Sequence, residues 1–242
     1  MLIAPHNSSV DPLISGSLQR LRAEIASAAE AAHRTVESIT VIAVSKGHAA
    51  EQVRAAADCG VRDFAESYLQ EASPKLESLR DLAAIWHFIG RVQANKTREI
   101  AERFDWVHGI DRIKIAERLS AQRPHYAPPL QVCLQVNIGA EIAKAGVEPA
   151  MTAQLAAAVS ALPRLRLRGL MCMLPADLSH EDNRRLFGAM RTLLAQVNVS
   201  GAGLDTLSMG MSDDFGDAVL EGATLIRVGT AIFGPRTRPF NE

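Results

Sequence analysis

Short apolar runs recur eight times along the chain, and stretches with helical spacing separate successive runs. Most of the runs are continuous and rich in β-branched residues, which is typical of strands that are covered on both faces. Strict alternation of strand and helix predicts an α/β fold with a parallel sheet. The eight runs are ITVIAVSK, VRDFAES, AIWHFIG, FDWVHGI, LQVCLQVNI, LRLRGLMCM, LDTLSMGM and ATLIRVG.

Eight such units in 242 residues match the size of a (β/α)8 TIM barrel. An open doubly wound sheet is the alternative, but no G-x-G-x-x-G fingerprint follows the first strand. A further amphipathic helix, starting at Ser17, precedes the first run. We therefore predict one barrel domain over residues 1–242 with an additional N-terminal helix, and we expect residues 1–16 to be flexible.

Composition narrows the class of protein. Hydrophobic residues make up 48% of the chain, so a large core is possible. The formal net charge is -1, so the chain lacks the excess of positive charge that is typical of nucleic-acid-binding proteins. The N-terminus lacks the pattern of a secretory signal, and no run approaches the roughly 20 apolar residues of a membrane span. Three scattered cysteines argue against a disulfide framework and a zinc site. We expect a cytoplasmic monomer that contacts neither nucleic acid nor membrane.

Lys46 is the first candidate for chemistry, because it ends the first predicted strand and barrels carry their sites at the C-terminal ends of strands. A lysine snorkelling into solvent is one interpretation. The other is an amine in a partly apolar pocket, where desolvation lowers its pKa and supplies a nucleophile for an aldehyde.

The loops after the seventh and eighth strands frequently bind phosphate in barrels. Here they contain Ser212 in the first loop, and Gly229 and Thr230 in the second. These hydroxyl and backbone N–H groups suit an anion. Alternatively, Ser212 is only a helix N-cap, with Asp213 and Asp214 completing the first turn.

Arg227 lies within the eighth strand, and strand alternation places it on the same face as Leu225 and Gly229. If that face is the barrel interior, the guanidinium needs an acceptor. A ligand ring nitrogen is one candidate, and a surface salt bridge is the alternative.

Several motifs, in this order, resemble those of the pyridoxal phosphate homeostasis proteins, which are single-domain relatives of the alanine racemase barrel (fold type III). The resemblance spans Val41 to Gly234. It rests on AVSK, WHFIG with QANK, VNIGAEIAKAG, RGLM and LSMGMSDDFGDAVLEGATLIRVGTAIFG.

The resemblance implies that pyridoxal 5′-phosphate is the cofactor and that Lys46 carries it as an internal aldimine. It also implies that Ser212, Gly229 and Thr230 hold the phosphate and that Arg227 faces the pyridine nitrogen. An arginine there disfavours protonation of the ring and weakens it as an electron sink.

Three segments of the chain depart from the family pattern. Gly47-His48-Ala49 stands where Thr-Lys-Pro is usual, Ser67 replaces an asparagine, and Arg91 replaces a histidine. We assign no cofactor contact to Ser67. His87 is interpreted as a structural histidine and left out of the site.

Three functions compete at this stage. A carrier that binds and delivers pyridoxal phosphate without turnover is favoured, with apo pyridoxal-phosphate enzymes as candidate partners. A racemase or aldolase of the same barrel type is the alternative, but the second base of alanine racemase relatives comes from an added β-domain, which we do not expect here. A sugar-phosphate lysine aldolase without cofactor ranks third, because it leaves Arg227 unexplained.

Overall fold

A computed structural model describes residues 11–139, 145–199 and 201–236. Within these ranges, eight parallel strands form a closed barrel in the order β1 to β8, which confirms the predicted TIM barrel. The strands are β1 Thr40–Val44, β2 Asp63–Glu66, β3 Ile85–Phe88, β4 Trp106–Ile110, β5 Leu130–Gln135, β6 Leu165–Met171, β7 Thr206–Ser208 and β8 Leu225–Val228.

Helices connect successive strands on the outside of the barrel. No helix among the described residues is long and apolar enough to cross a membrane. The helices are α1 Pro12–Ala31, α2 Ala50–Asp58, α3 Leu69–Ser78, α4 Thr97–Arg103, α5 Ile113–Gln122, α6 Thr152–Ser160, α7 His180–Asn198, α8 Phe215–Leu220 and α9 Thr230–Phe233.

The additional N-terminal helix begins at Pro12, five residues before the predicted start at Ser17. Asp11 caps it, since its carboxylate accepts hydrogen bonds from the backbone N–H groups of Leu13 and Ile14. Ile14 is buried. The expectation that residues 1–16 are flexible is therefore wrong for 12–16, and residues 1–10 lie outside the described ranges.

The main hydrophobic core lies between the sheet and the helices, and a smaller cluster fills the barrel interior. Because strand side chains alternate, Ile42 and Val44 of β1 enter the interior cluster, and Lys46 continues that face beyond the strand. Leu225 of β8 belongs to the same cluster, so the face that alternation assigned to Leu225 and Arg227 is the barrel interior.

Two of the three cysteines belong to the core. Cys133 and Cys172 are fully buried and free, and burial raises the pKa of each thiol to about 12. These thiols are protonated at neutral pH and are not nucleophiles.

Candidate functional site

All five predicted site residues line one cavity at the C-terminal ends of the strands. The cavity has a volume of about 250 Å³ and opens between the loops that follow β1, β7 and β8. The sequence placed these residues at the ends of three different strands and in the loops that follow them, and the closed barrel brings them together. They are Lys46, Ser212, Arg227, Gly229 and Thr230.

Lys46 is half-buried in this cavity, and no described residue forms a hydrogen bond or ion pair with its amine. The pKa of the amine is lowered, chiefly by burial and further by the cations of Arg236 and Arg227. A larger fraction of the amine is therefore neutral at a given pH than for a solvated lysine, which favours imine formation.

A buried polar network supports the backbone beside Lys46. The ammonium of Lys75 donates to Glu66 Oε1 at 2.5 Å, to Glu71 Oε1 at 2.9 Å and to the carbonyl of Ser45 at 2.7 Å. The same Glu71 oxygen accepts from the N–H of Gly47 at 2.6 Å. The residues on both sides of Lys46 are thus fixed by groups outside the cavity, which orients the lysine.

Arg227 is 3% exposed, and its guanidinium is held by two neutral acceptors. It donates to Ser208 Oγ at 2.7 Å and to the carbonyl of Cys172 at 2.8 Å. Two of the five N–H donors are used in these bonds, which leaves donors for a ligand acceptor. The surface salt bridge considered from the sequence is excluded, because the side chain lies inside the barrel and lines the cavity.

The loop after β7 turns sharply at Gly210, whose φ of 93° belongs to the left-handed region. A Cβ there would lie 2.7 Å from the Ala218 side chain, so the turn requires glycine. Asp214, and not Ser212, is the residue that precedes α8, and its carboxylate accepts from the Met211 N–H at 2.5 Å. Ser212 is therefore not the N-cap, and its side chain lines the cavity.

The loop after β8 completes the rim with Gly229 and Thr230. A Cβ on Gly229 would lie 3.2 Å from the carbonyl oxygen of Val44, so the close approach of this loop to β1 favours glycine. Thr230 is exposed and begins α9. Gly229 and Thr230 line the same cavity as Ser212 and Lys46.

His48, Ser67 and Arg236 are among the lining residues that were not assigned from the sequence. His48 is 5% exposed, packs on Phe233 with ring centroids 5.0 Å apart, and has no hydrogen-bond partner for Nδ1 in the described chain. Burial lowers the pKa of His48. Ser67 also lines the cavity, at the position left unassigned for lack of an asparagine, and so does Arg236. By contrast, Arg91 lines a neighbouring cavity instead.

Comparisons with known proteins agree with this geometry. The profile of the alanine racemase N-terminal domain matches residues 16–237. A Pseudomonas aeruginosa protein named pyridoxal phosphate homeostasis protein is 51% identical, over 92% of this chain and 96% of its own. The structure of PipY from Synechococcus elongatus with pyridoxal phosphate bound is 37% identical, with a TM-score of 0.80 over 91% of this chain and all of that one.

An alanine racemase from Corynebacterium glutamicum shares the fold, with a TM-score of 0.71 and 17% identity. The match covers 95% of this chain but 63% of the racemase. The P. aeruginosa protein and PipY match a similar share of this chain, but the match spans 96% and 100% of their own lengths. The chain therefore belongs to the alanine racemase N-terminal domain family and, within it, to the pyridoxal phosphate homeostasis proteins.

Proposed function

We propose that the chain binds pyridoxal 5′-phosphate through a Schiff base to Lys46 and acts in intracellular homeostasis of this cofactor. In this role it holds and releases the cofactor without substantial turnover, and apo pyridoxal-phosphate enzymes are the recipients. The observation that carries the proposal is the convergence of three different groups in one cavity. These are a lysine that pairs with no described residue, two hydroxyls beside Gly229, and a buried guanidinium.

The residues present suit the charge of the cofactor. Its phosphate carries about -1.5 to -2 charges at neutral pH. Lys46, Arg227 and Arg236 supply three cations around the cavity, and Asp213 supplies one carboxylate. In this proposal Ser212, Thr230 and the Gly229 backbone bind the phosphate, while Lys46 takes the aldehyde.

Arg227 is proposed to donate a hydrogen bond to the pyridine nitrogen. A guanidinium donates and does not accept, so the nitrogen it faces stays unprotonated. When bound, pyridoxal phosphate supplies an electron sink, and an unprotonated ring is a weak one. Arg227 therefore favours storage of the cofactor over racemisation or transamination.

Replacing Arg227 by glutamine is expected to weaken cofactor binding by about 10- to 100-fold, the value of one hydrogen bond to a charged group. The Schiff base still forms, because Lys46 remains, but its absorption spectrum shifts. Titration with pyridoxal phosphate, followed by absorbance, measures both effects. Arg168→Gln is the matched control, since Arg168 lies at the opposite end of the barrel and pairs with Asp205. If Arg227→Gln left the affinity and the absorption spectrum unchanged, Arg227 would not be a residue that contacts the cofactor.

The loaded protein is expected to restore activity to an apo pyridoxal-phosphate enzyme, because imine formation is reversible by transfer to another amine. The measurement is the recovered activity of the recipient over time. Borohydride-reduced protein is the control, since its reduced bond no longer exchanges and no activity should return.

The same preparation should not interconvert D and L forms of alanine, serine or other common amino acids. Turnover at the roughly 1–1000 per second typical of enzymes would contradict the carrier role and show that the protein is a racemase. We also propose that the protein is a cytoplasmic monomer, which light scattering and cell fractionation would test.

A further inference from the structure

Five polar side chains form an unbroken line of hydrogen bonds through the barrel interior. Arg227 bonds Ser208 Oγ at 2.7 Å, and Ser208 Oγ lies 2.7 Å from His108 Nδ1. His108 Nε2 lies 3.0 Å from His87 Nδ1, and His87 Nε2 lies 2.9 Å from Asp63 Oδ1. The three middle residues are fully buried. The line joins the Lys46 cavity to Asp63 at the amino-terminal end of the barrel.

The chemistry of the two ends fixes the direction of every bond between them. Arg227 can only donate, so Ser208 Oγ accepts from it, and the Asp63 carboxylate can only accept, so His87 Nε2 donates to it. With both histidines neutral, His108 Nε2–H donates to His87 Nδ1, and the Ser208 hydroxyl donates to His108 Nδ1. Every donor then has an acceptor, and all donors point from Arg227 towards Asp63.

A second arrangement would need one more proton, with His87 cationic and donating to His108. That arrangement places another buried cation near Arg227, without a second carboxylate in the line. The pKa of His108 is held well below its usual value, first by burial and then by His87 and Arg227. Desolvation and like charge therefore both favour the neutral form of His108.

We propose that Asp63, His87, His108 and Ser208 are positioning residues that hold Arg227 as a fixed donor towards the ligand. The two neutral acceptors of Arg227 do not by themselves balance a buried charge. The line of polarised bonds connects that charge to the Asp63 carboxylate at the far end of the barrel. It also keeps the lone pair of Ser208 directed at the guanidinium. The part of the proposal that concerns the ligand rests on the proposed function.

The direction of the bonds is tested on the protein without cofactor. Nitrogen-15 NMR of histidine-labelled protein at neutral pH should show a protonated Nε2 and an unprotonated Nδ1 on both rings, as these hydrogen-bond directions require. A protonated Nδ1 on either ring would overturn the proposal. This result does not depend on whether pyridoxal phosphate is the ligand.

The link to the site is tested by a double-mutant cycle on pyridoxal phosphate affinity. Asp63→Asn is expected to weaken binding by about tenfold, the size of effect typical when an outer partner of a bound group is lost. Asp205→Asn is the matched control, since Asp205 lies in the same amino-terminal cavity but outside the line, and it should leave affinity unchanged.

In a Ser208→Ala background the line is cut, so Asp63→Asn should have no further effect on affinity. Additive effects, or equal weakening by Asp63→Asn and Asp205→Asn, would show that Asp63 does not act through the line. If the Ser208→Ala protein does not fold, the comparison of Asp63→Asn with Asp205→Asn and the NMR measurement still test the proposal. If the unaltered protein fails to bind pyridoxal phosphate, the proposed function fails, and the histidine proton positions remain testable.

Discussion

Lys46→Ala is expected to abolish the visible absorption of the cofactor-loaded protein. The amine is the proposed attachment point for the cofactor. No described side chain pairs with it, so its removal breaks no hydrogen bond or ion pair among the described residues. The phosphate and ring contacts remain, so non-covalent binding persists but is weaker by at least about tenfold, or about 1.4 kcal/mol. Absorbance titration with pyridoxal phosphate measures both changes.

Lys114→Ala is the matched control for this variant, since Lys114 is an exposed lysine on α5, outside the cavity. It should retain full absorption and affinity. Thermal unfolding should be nearly unchanged in both variants, because neither lysine is fully buried. If the Lys46→Ala protein still formed the visible absorption band, the Schiff base would have to be on another amine.

Removing both hydroxyls, in the double variant Ser212→Ala with Thr230→Ala, is expected to lower the affinity for pyridoxal phosphate by roughly a hundredfold or more. Each hydrogen bond to a charged group contributes about 1.5–3 kcal/mol, so the pair contributes at least about 3 kcal/mol. Unphosphorylated pyridoxal lacks that anion, and its affinity should change little. The measurement compares the dissociation constants of the two ligands in the variant and in the unaltered protein.

Ser78→Ala with Thr192→Ala provides the control, since both hydroxyls are exposed on outer helices, α3 and α7. This control double variant should bind pyridoxal and pyridoxal phosphate with unchanged affinity. If the Ser212 and Thr230 substitutions weakened pyridoxal and pyridoxal phosphate equally, the two hydroxyls would not be the phosphate site.

The fold and the position of the site follow from periodicity in the sequence. Continuous apolar runs separated by amphipathic stretches predicted all eight strands, and the barrel order followed from their number. The order of the runs placed Lys46 at the end of β1, and alternation in β8 placed Arg227 on the face of Leu225, which is the barrel interior in the structure. Both signals are local, since they depend on neighbours one to four residues away.

The partners of these residues were not predictable, because they depend on contacts between distant segments. His108 and Ser208 are 100 residues apart in the chain and 2.7 Å apart in the barrel. The Lys75 network and the entry of His48 into the cavity depend in the same way on how the helices pack around the sheet. The N-terminal helix was placed too late because the capping role of Asp11 was overlooked.

Borohydride reduction of the unaltered, cofactor-loaded protein, followed by peptide mass mapping, tests the central claim most directly. The account predicts one labelled peptide, with the reduced pyridoxyl phosphate group on Lys46. A label on any other lysine, or no label at all, would contradict it.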